Sequence, residues 1–171
     1  MIEGISPIVE QKVINQNNER TTWKEHDTVE RVERLIVEET EELKQAVELA
    51  MIGASSFEVA SELGDVFYLL IKLTFLSKEP IPLAVELAVN YAREIAELTE
   101  IDLNEAVLMK ILRNDMKYPS SVLDGSIPYE TGQQKSKEQW KVLGGDYQFS
   151  EMYLEKGSEL TDMMINDSIK T

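Results

Sequence analysis

The amino-acid sequence predicts an all-α protein built around an antiparallel helical bundle. Apolar residues recur at three- and four-residue steps through most of residues 27–118, which is the spacing of a helix that buries one face. No strand-like alternation of any length occurs in that region, and residues typical of helix ends separate the periodic stretches. Together these features predict several helices packed on one another.

The composition bounds the kind of protein. With 171 residues and a hydrophobic fraction of 43%, the chain is long enough for one domain, with an appendage. No apolar run approaches the roughly 18 residues of a membrane span, and no basic stretch followed by an apolar one suggests a signal peptide. There are no cysteines, which excludes disulfides and thiolate chemistry. We therefore expect a cytoplasmic protein with no membrane partner.

The charge argues against a nucleic-acid partner. Acidic residues outnumber basic ones 32 to 17, which gives a net charge of -15, whereas nucleic-acid binding depends on Lys and Arg to neutralise phosphates. A small phosphorylated ligand remains compatible, because a bound divalent cation and a few lysines reverse the local field.

The helices are predicted in order along the chain. A short amphipathic helix is expected around residues 8–14, and a long one from about Asp27 to Ile52 that ends at Gly53. Ser55 followed by Glu58 predicts a capping box that opens the next helix, which runs to about residue 77. So short a connection predicts an antiparallel helix pair.

Two further helices are expected before residue 119. Pro80 and Pro82 interrupt the periodic pattern, and a helix is predicted over 83–98. Asp102, with an acidic residue three positions later, marks the start of the next helix. That helix should end near Tyr118, since the residue before Pro119 is driven away from helical geometry.

The composition changes after residue 119. Ser, Gly, Gln and Lys dominate as far as Lys137, a Gly144–Gly145 turn follows, and residues 150–165 are only mildly helical in pattern. Both an extended arm on a neighbouring subunit and a partly disordered tail fit this composition.

Four carboxylates stand out on the first helical pair. Glu39 and Glu42 lie on the first helix, Glu62 and Asp65 on the second, and each pair is spaced i, i+3, so that its carboxylates lie about one turn apart on one face. When the chain bends at about residue 54, the two pairs are offset by roughly 6 Å, which side-chain reach can span. Four carboxylates meeting at a partly apolar surface repel one another, and a hard divalent cation such as Mg²⁺ relieves that repulsion.

The neighbouring acids Glu38 and Glu41 lean away from the apolar face and are not expected at the site. A competing interpretation is that all these acids pair with Lys or Arg or lie in water. A di-iron site requires Glu-x-x-His pairs, and His26 is the only histidine. The spacing of an EF-hand loop is also absent.

These motifs resemble those of the all-α NTP pyrophosphatase superfamily, which includes MazG-like proteins, dimeric dUTPases, dCTP pyrophosphatases and phosphoribosyl-ATP pyrophosphohydrolases. The resemblance lies in the E-x-x-E-L motif at 39–43, the E-L-G-D motif at 62–65, and the segment KILRNDMKYP at 110–119. It is similar in particular to the MazG-like and dCTP-pyrophosphatase branches and covers about residues 26–120.

The resemblance implies a function. It implies an enzyme that uses Mg²⁺, or Mn²⁺ in its place, to hydrolyse a nucleoside triphosphate to the monophosphate and pyrophosphate, with a role in nucleotide-pool sanitising. The implied metal ligands are the four carboxylates, and the implied substrate contacts are Lys110, Asn114, Lys117 and Tyr118. Either Glu39 or Glu42 is expected to take the proton of the attacking water, and the pattern does not choose between them.

Two features depart from the resemblance. About twenty additional residues form a helix inserted at 78–98, and the tail is longer than the family core. We therefore predict a MazG-like helical catalytic domain over 1–119, with its core at 26–119, and a C-terminal extension or oligomerisation arm over 120–171. The family also implies a homodimer or homotetramer.

Two alternatives stay open from the sequence. Trp23 precedes the first carboxylate helix, where it is expected either to stack on a nucleobase or to pack in the N-terminal segment. A non-catalytic, nucleotide-binding or regulatory helical oligomer that keeps the same fold is the alternative to an enzyme.

Overall fold

The computed structural model describes residues 2–170, with side chains described as far as Asp167, and this part of the chain contains no β-strand. It forms one short 3-10 helix at Ser120–Val122 and the following α-helices: α1 (Pro7–Glu19), α2 (Thr21–His26), α3 (Val29–Met51), α4 (Phe57–Leu76), α5 (Leu83–Thr99), α6 (Leu103–Lys117), α7 (Tyr129–Val142) and α8 (Gly145–Lys170). The predicted all-α class is confirmed.

The chain divides into two compact units. The first consists of residues 2–6 and Thr28–Lys110, and the second of Pro7–Asp27 and residues 111–170. The first unit therefore contains α3, α4, α5 and the first half of α6. The boundaries between these units differ from the predicted boundary after residue 119. The predicted division concerned function, and it stays a prediction.

An antiparallel hairpin of α3 and α4 is the main packing of the first unit. The short segment between Met51 and Phe57 joins the two helices, so they must run in opposite directions to pack along their length. Each helix has an apolar side that is almost fully buried: Val32, Ile36 and Leu43 on α3, and Val59, Leu63, Val66 and Phe67 on α4. These sides fix the rotation of both helices about their axes.

The ends of these helices agree with the predicted signals in part. The Thr28 side chain accepts a hydrogen bond from the Arg31 backbone nitrogen at 3.2 Å and caps α3. Gly53 follows the end of α3 with a φ of 103°, as expected. The capping box at Ser55 was wrong, because the Ser55 hydroxyl accepts from Phe57 two residues later, at 3.1 Å, and Ser56 occupies the cap position.

The helix predicted over 83–98 is confirmed as α5, which packs mainly against α3. Its buried residues are Val85, Ala88, Val89, Ala92, Ile95 and Ala96. Asp102 accepts a hydrogen bond from the Glu105 backbone nitrogen at 3.1 Å and opens α6, and α6 ends at Lys117 before Pro119.

The second unit contains a buried polar network beside its apolar core. Arg20 is 2% exposed, and its guanidinium donates to the carbonyls of Tyr118 and Gln16 and to Asp115 Oδ1, at 2.7, 3.1 and 3.0 Å. The Gln16 amide donates in turn to Asp115 Oδ1 and to the Ile111 carbonyl, both at 2.8 Å. Buried hydrogen-bonded groups of this kind specify one arrangement of the helices that supply them.

The region after residue 119 forms regular helices over most of its described length, whereas a partly disordered tail was one of the two expectations. A role as an arm on a neighbouring subunit stays a prediction. The region forms α7 and α8, separated by the predicted turn at Gly144 and Gly145, both with positive φ. The buried residues of α7 are Gly132, Ser136 and Trp140, one per turn. Their small or polar character explains why the apolar pattern there is weak.

Among the described residues, none of the helices has both the length and the apolar character required to cross a membrane.

Candidate metal centre

The carboxylates of α3 and α4 are positioned by the apolar face of the hairpin. Glu39 lies between Ile36 and Leu43, which are both fully buried, so its side chain starts at the edge of the interface. The neighbouring Thr40 is also buried and donates its hydroxyl to the Ile36 carbonyl at 2.8 Å. Glu62 lies next to the fully buried Leu63 on α4 in the same way.

The structure brings three of the four predicted carboxylates together. Glu39, Glu42 and Glu62 each offer a carboxylate oxygen, and these oxygens all lie within 4.8 Å of one another. Glu39 and Glu62 are half-buried, whereas Glu42 is exposed. No other group of three or more His, Asp or Glu residues is as close within the described part of the chain. The packing of α3 on α4 therefore overcomes the expected offset along the helix axes between the carboxylates of the two helices.

Two oxygens of this cluster lack the hydrogen bonds that buried carboxylates normally have. Oε2 of Glu39 and Oε2 of Glu62 are buried and have no hydrogen-bond partner among the described residues. An unpartnered buried polar atom costs free energy, and two negative oxygens close together add repulsion to that cost.

The pKa values of the two half-buried glutamates reflect this environment. Burial, and then the charge of Asp65, raise the pKa of Glu39 to about 9. Burial, and then the charges of Asp65 and Glu42, raise the pKa of Glu62 to about 8. At neutral pH and without a cation, these groups therefore favour the protonated form.

The fourth predicted ligand, Asp65, has a different partner. Its Oδ1 lies 2.7 Å from the Lys110 Nζ, and the two side chains are only 15% and 19% exposed. Asp65 is outside the group of three oxygens described above. The resemblance implied Lys110 as a substrate contact. This ion pair was not expected, because local spacing does not show which side chains of α4 and α6 meet.

A glycine next to Asp65 explains how the two helices come close enough. Gly64 is buried, and a Cβ atom there would lie 2.4 Å from the Ala106 carbonyl oxygen and 3.5 Å from the Lys110 Cβ. The absence of a side chain thus permits direct backbone contact between α4 and α6. A lone glycine inside a helical pattern is the sequence signal that could have predicted this contact.

The acids expected to point away from the cluster do so. Glu38 and Glu41 are exposed; Glu38 lies 3.6 Å from the Arg34 guanidinium and Glu41 lies 3.0 Å from the Lys44 ammonium. Such exposed pairs contribute little to stability. They provide matched control positions on the same helix as Glu39 and Glu42.

The remaining predicted substrate residues lie in the second unit. Asn114 is 3% exposed, and its amide donates to Gln16 Oε1 at 3.3 Å. Lys117 and Tyr118 are half-buried, and the Lys117 Nζ lies 5.2 Å from the centre of the Tyr118 ring. Substrate contacts by these residues stay predictions.

Trp23 is packed inside the second unit. It is 8% exposed, its indole nitrogen donates to Gln133 Oε1 at 3.0 Å, and its ring meets the Tyr118 ring edge-on at 5.5 Å. This agrees with the packing alternative, since little of the ring is accessible for stacking. His26 stacks on Tyr129 with ring centres 3.8 Å apart, a contact that the sequence did not indicate.

The three clustered carboxylates fit a hard divalent cation. They are oxygen donors of the type that Mg²⁺ and Mn²⁺ prefer, and the two unpartnered buried oxygens would gain a partner from the cation. Glu42, being exposed, leaves the cluster open to water and to a phosphorylated ligand. The arrangement can therefore hold a cation that retains free coordination positions.

Comparison with known proteins finds no match: no protein-family model, curated protein or solved structure is significantly similar to this chain.

Proposed function

We propose that this chain is a Mg²⁺-dependent nucleoside triphosphate pyrophosphohydrolase, with Mn²⁺ able to replace Mg²⁺. The observation that carries the proposal is the convergence of Glu39, Glu42 and Glu62, with oxygens within 4.8 Å of one another. Oε2 of Glu39 and Oε2 of Glu62 are buried without a hydrogen-bond partner among the described residues, and a bound cation would give both atoms a partner.

The reaction class rests on the sequence. The E-x-x-E-L, E-L-G-D and KILRNDMKYP segments resemble the all-α NTP pyrophosphatases, which cleave between the α and β phosphates. The cluster is compatible with this reaction because a triphosphate is itself a polyanion that binds carboxylate-held Mg²⁺. The substrate base, the cytoplasmic location and assembly into a homodimer or homotetramer stay predictions from the sequence.

The chemistry assigned to the chain is positioning and proton transfer. When bound, Mg²⁺ neutralises phosphate charge and lowers the pKa of a coordinated water. Glu39 or Glu42, whichever keeps an oxygen free, accepts the proton of the attacking water. The Lys110 ammonium group lies 2.7 Å from the Asp65 carboxylate. Its positive charge is assigned to stabilise the departing pyrophosphate.

The test is pyrophosphate release from a panel of NTPs and dNTPs in the presence of Mg²⁺. Glu42→Gln and Asp65→Asn should each lower kcat/KM by at least about 100-fold, since loss of one electrostatic partner in a phosphate-processing site commonly costs this much. Glu41→Gln is the matched control, because it removes one charge from the same helix at a position that faces Lys44, and it should retain activity.

Two results would count against the enzyme. If no nucleotide yields a monophosphate, or if Glu42→Gln equals the parent, the catalytic proposal is wrong. Nucleotide binding by calorimetry without hydrolysis would favour the alternative, a binding or regulatory helical oligomer. One observation favours this alternative. The Asn114 amide, expected to contact substrate, donates a hydrogen bond to Gln16 inside the protein.

A further inference from the structure

The ion pair between Lys110 and Asp65 is partly shielded from water. The two side chains are 19% and 15% exposed, and their charged atoms lie 2.7 Å apart. A pair this close and this buried is screened far less than a surface pair. Asp65 Oδ1 is buried and has no hydrogen-bond partner among the described residues, so the contact with Lys110 is an ion pair without a well-directed hydrogen bond.

The position of Asp65 relative to the cluster is informative. Asp65 lies three residues after Glu62 on α4, so the two carboxylates are about one turn apart on the same face of the helix. It is nevertheless outside the group of oxygens that lie within 4.8 Å of one another. Asp65 contacts Lys110, and a divalent cation bound by the cluster would also attract its carboxylate.

The backbone makes this arrangement persistent. Because Gly64 lets α4 touch the Ala106 carbonyl of α6, the helix turn that carries Lys110 cannot move away without losing that contact. The ammonium group can still leave Asp65 by rotation of its four-carbon side chain, since lysine is a flexible point charge. The α4–α6 contact thus stays in place while the Lys110 ammonium group can change its position.

We propose that Lys110 is an internal counter-cation of the carboxylate cluster, which competes with the divalent cation for Asp65 and is displaced from it when that cation binds. This inference rests on the cation site of the proposed function, but not on the hydrolytic reaction. Displacement gives Asp65 to the cation and frees a positive charge beside it for a phosphate group. Cation binding and phosphate binding then favour each other through one lysine.

The first test is Mg²⁺ affinity by calorimetry, with Mn²⁺ affinity by electron paramagnetic resonance. Lys110→Gln removes the competitor and should tighten both affinities by about tenfold. Lys110→Arg keeps a competing charge and should retain the parent affinity or bind more weakly. Lys44→Gln is the control for a general loss of positive charge, because Lys44 is 45% exposed and pairs with Glu41, and it should change affinity by less than about threefold.

A second test asks whether the effect passes through Asp65. In the Asp65→Asn background, Lys110→Gln should no longer tighten Mg²⁺ binding, because the contested ligand is gone. In the unaltered protein, reductive methylation of Lys110, followed by mass spectrometry, should be faster with Mg²⁺ than without it. Methylation of Lys44 should be unaffected by Mg²⁺.

The outcomes are separable from those of the hydrolysis assay. Equal or weaker cation binding by Lys110→Gln, or methylation of Lys110 that ignores Mg²⁺, overturns the inference even if the protein hydrolyses nucleotides. Tighter binding that depends on Asp65 supports it even if no nucleotide is cleaved. A parent protein that binds neither cation overturns the inference and the proposed site together. If Lys110→Gln does not fold, the methylation result and Lys110→Arg decide.

Discussion

At the scale of single residues, two buried oxygens determine how the cluster responds to its surroundings. Oε2 of Glu39 and Oε2 of Glu62 have no hydrogen-bond partner in the described chain, and burial raises the pKa of both side chains. The folded protein therefore binds protons at these groups more tightly than the unfolded chain does. Proton binding, cation binding and stability are consequently linked at one place.

This linkage predicts a pH dependence of stability in the presence of a chelator. Because the folded-state pKa values are raised to about 9 for Glu39 and about 8 for Glu62, the stabilising contribution of these groups is complete below their ordinary carboxyl pKa. It is lost progressively as the pH rises through those raised values. Thermal unfolding should therefore occur at lower temperature at pH 9 than at pH 6.

Glu39→Gln should remove most of that loss. A neutral amide keeps the shape of the side chain without the buried charge, so the variant should exceed the parent by roughly 1–2 kcal/mol at pH 9 and differ little at pH 5. Urea unfolding at the two pH values measures this. Glu38→Gln, at an exposed position paired with Arg34, is the control. Parallel pH curves for Glu39→Gln and the parent would show that the charge is not responsible.

Mg²⁺ should reverse the same loss. Since the carboxylates must release protons to bind a cation, the rise in unfolding temperature caused by Mg²⁺ should be larger at pH 8 than at pH 6. Glu62→Gln should lose most of this rise. A Mg²⁺ effect that is independent of pH, or that Glu62→Gln retains, would contradict the assignment of these carboxylates as ligands.

At the scale of helices, the contact between α4 and α6 depends on one missing side chain. A Cβ at Gly64 would lie 2.4 Å from the Ala106 carbonyl oxygen, a distance at which the backbone must shift. Gly64→Ala should therefore destabilise the protein by about 1–3 kcal/mol in urea unfolding. Elsewhere in a helix this substitution stabilises by up to about 1 kcal/mol, so a gain in stability would show that the contact is not close.

The α3–α4 hairpin was predictable because its signals are local. Regular apolar spacing fixes which side of each helix is buried, and the glycine after α3 fixes where the chain turns, so the meeting of Glu39 with Glu62 follows from position alone. The Lys110–Asp65 pair was not predictable in this way, because it joins side chains whose helices meet only in the tertiary structure. Trp23 shows the same limit, since its partner Gln133 lies in a distant helix.

Helix α7 was not predicted for a related reason. Its buried positions Gly132, Ser136 and Trp140 recur at helical spacing, but only one of them is a large apolar residue. Gly132 packs against the Val122 carbonyl so closely that a Cβ there would lie 2.4 Å from its oxygen. This contact is made by two backbones that lie close together, without large apolar side chains. A search for regularly spaced apolar residues therefore does not find the helix.

At the scale of the whole molecule, net charge is the dominant electrostatic property. At -15, repulsion between like charges opposes the compact state, and salt screens it. The unfolding temperature should therefore rise as NaCl is increased from about 0.02 to 0.3 M, and Glu42→Gln should show the same rise as the parent. The response to millimolar Mg²⁺ should differ between these two proteins. A Mg²⁺ response that equal ionic strength reproduces would indicate screening alone.

The order in which the chain is made matters for the second unit. That unit combines Pro7–Asp27 with residues from 111 onward, whereas almost all of the first unit lies between these two segments. During synthesis at about 5–20 residues per second, Arg20 and Gln16 would wait roughly 5–20 seconds for Asp115 to be translated. These early partners are polar and are well hydrated while they wait. Packing of the second unit can therefore be completed only after the residues beyond Lys110 have been made.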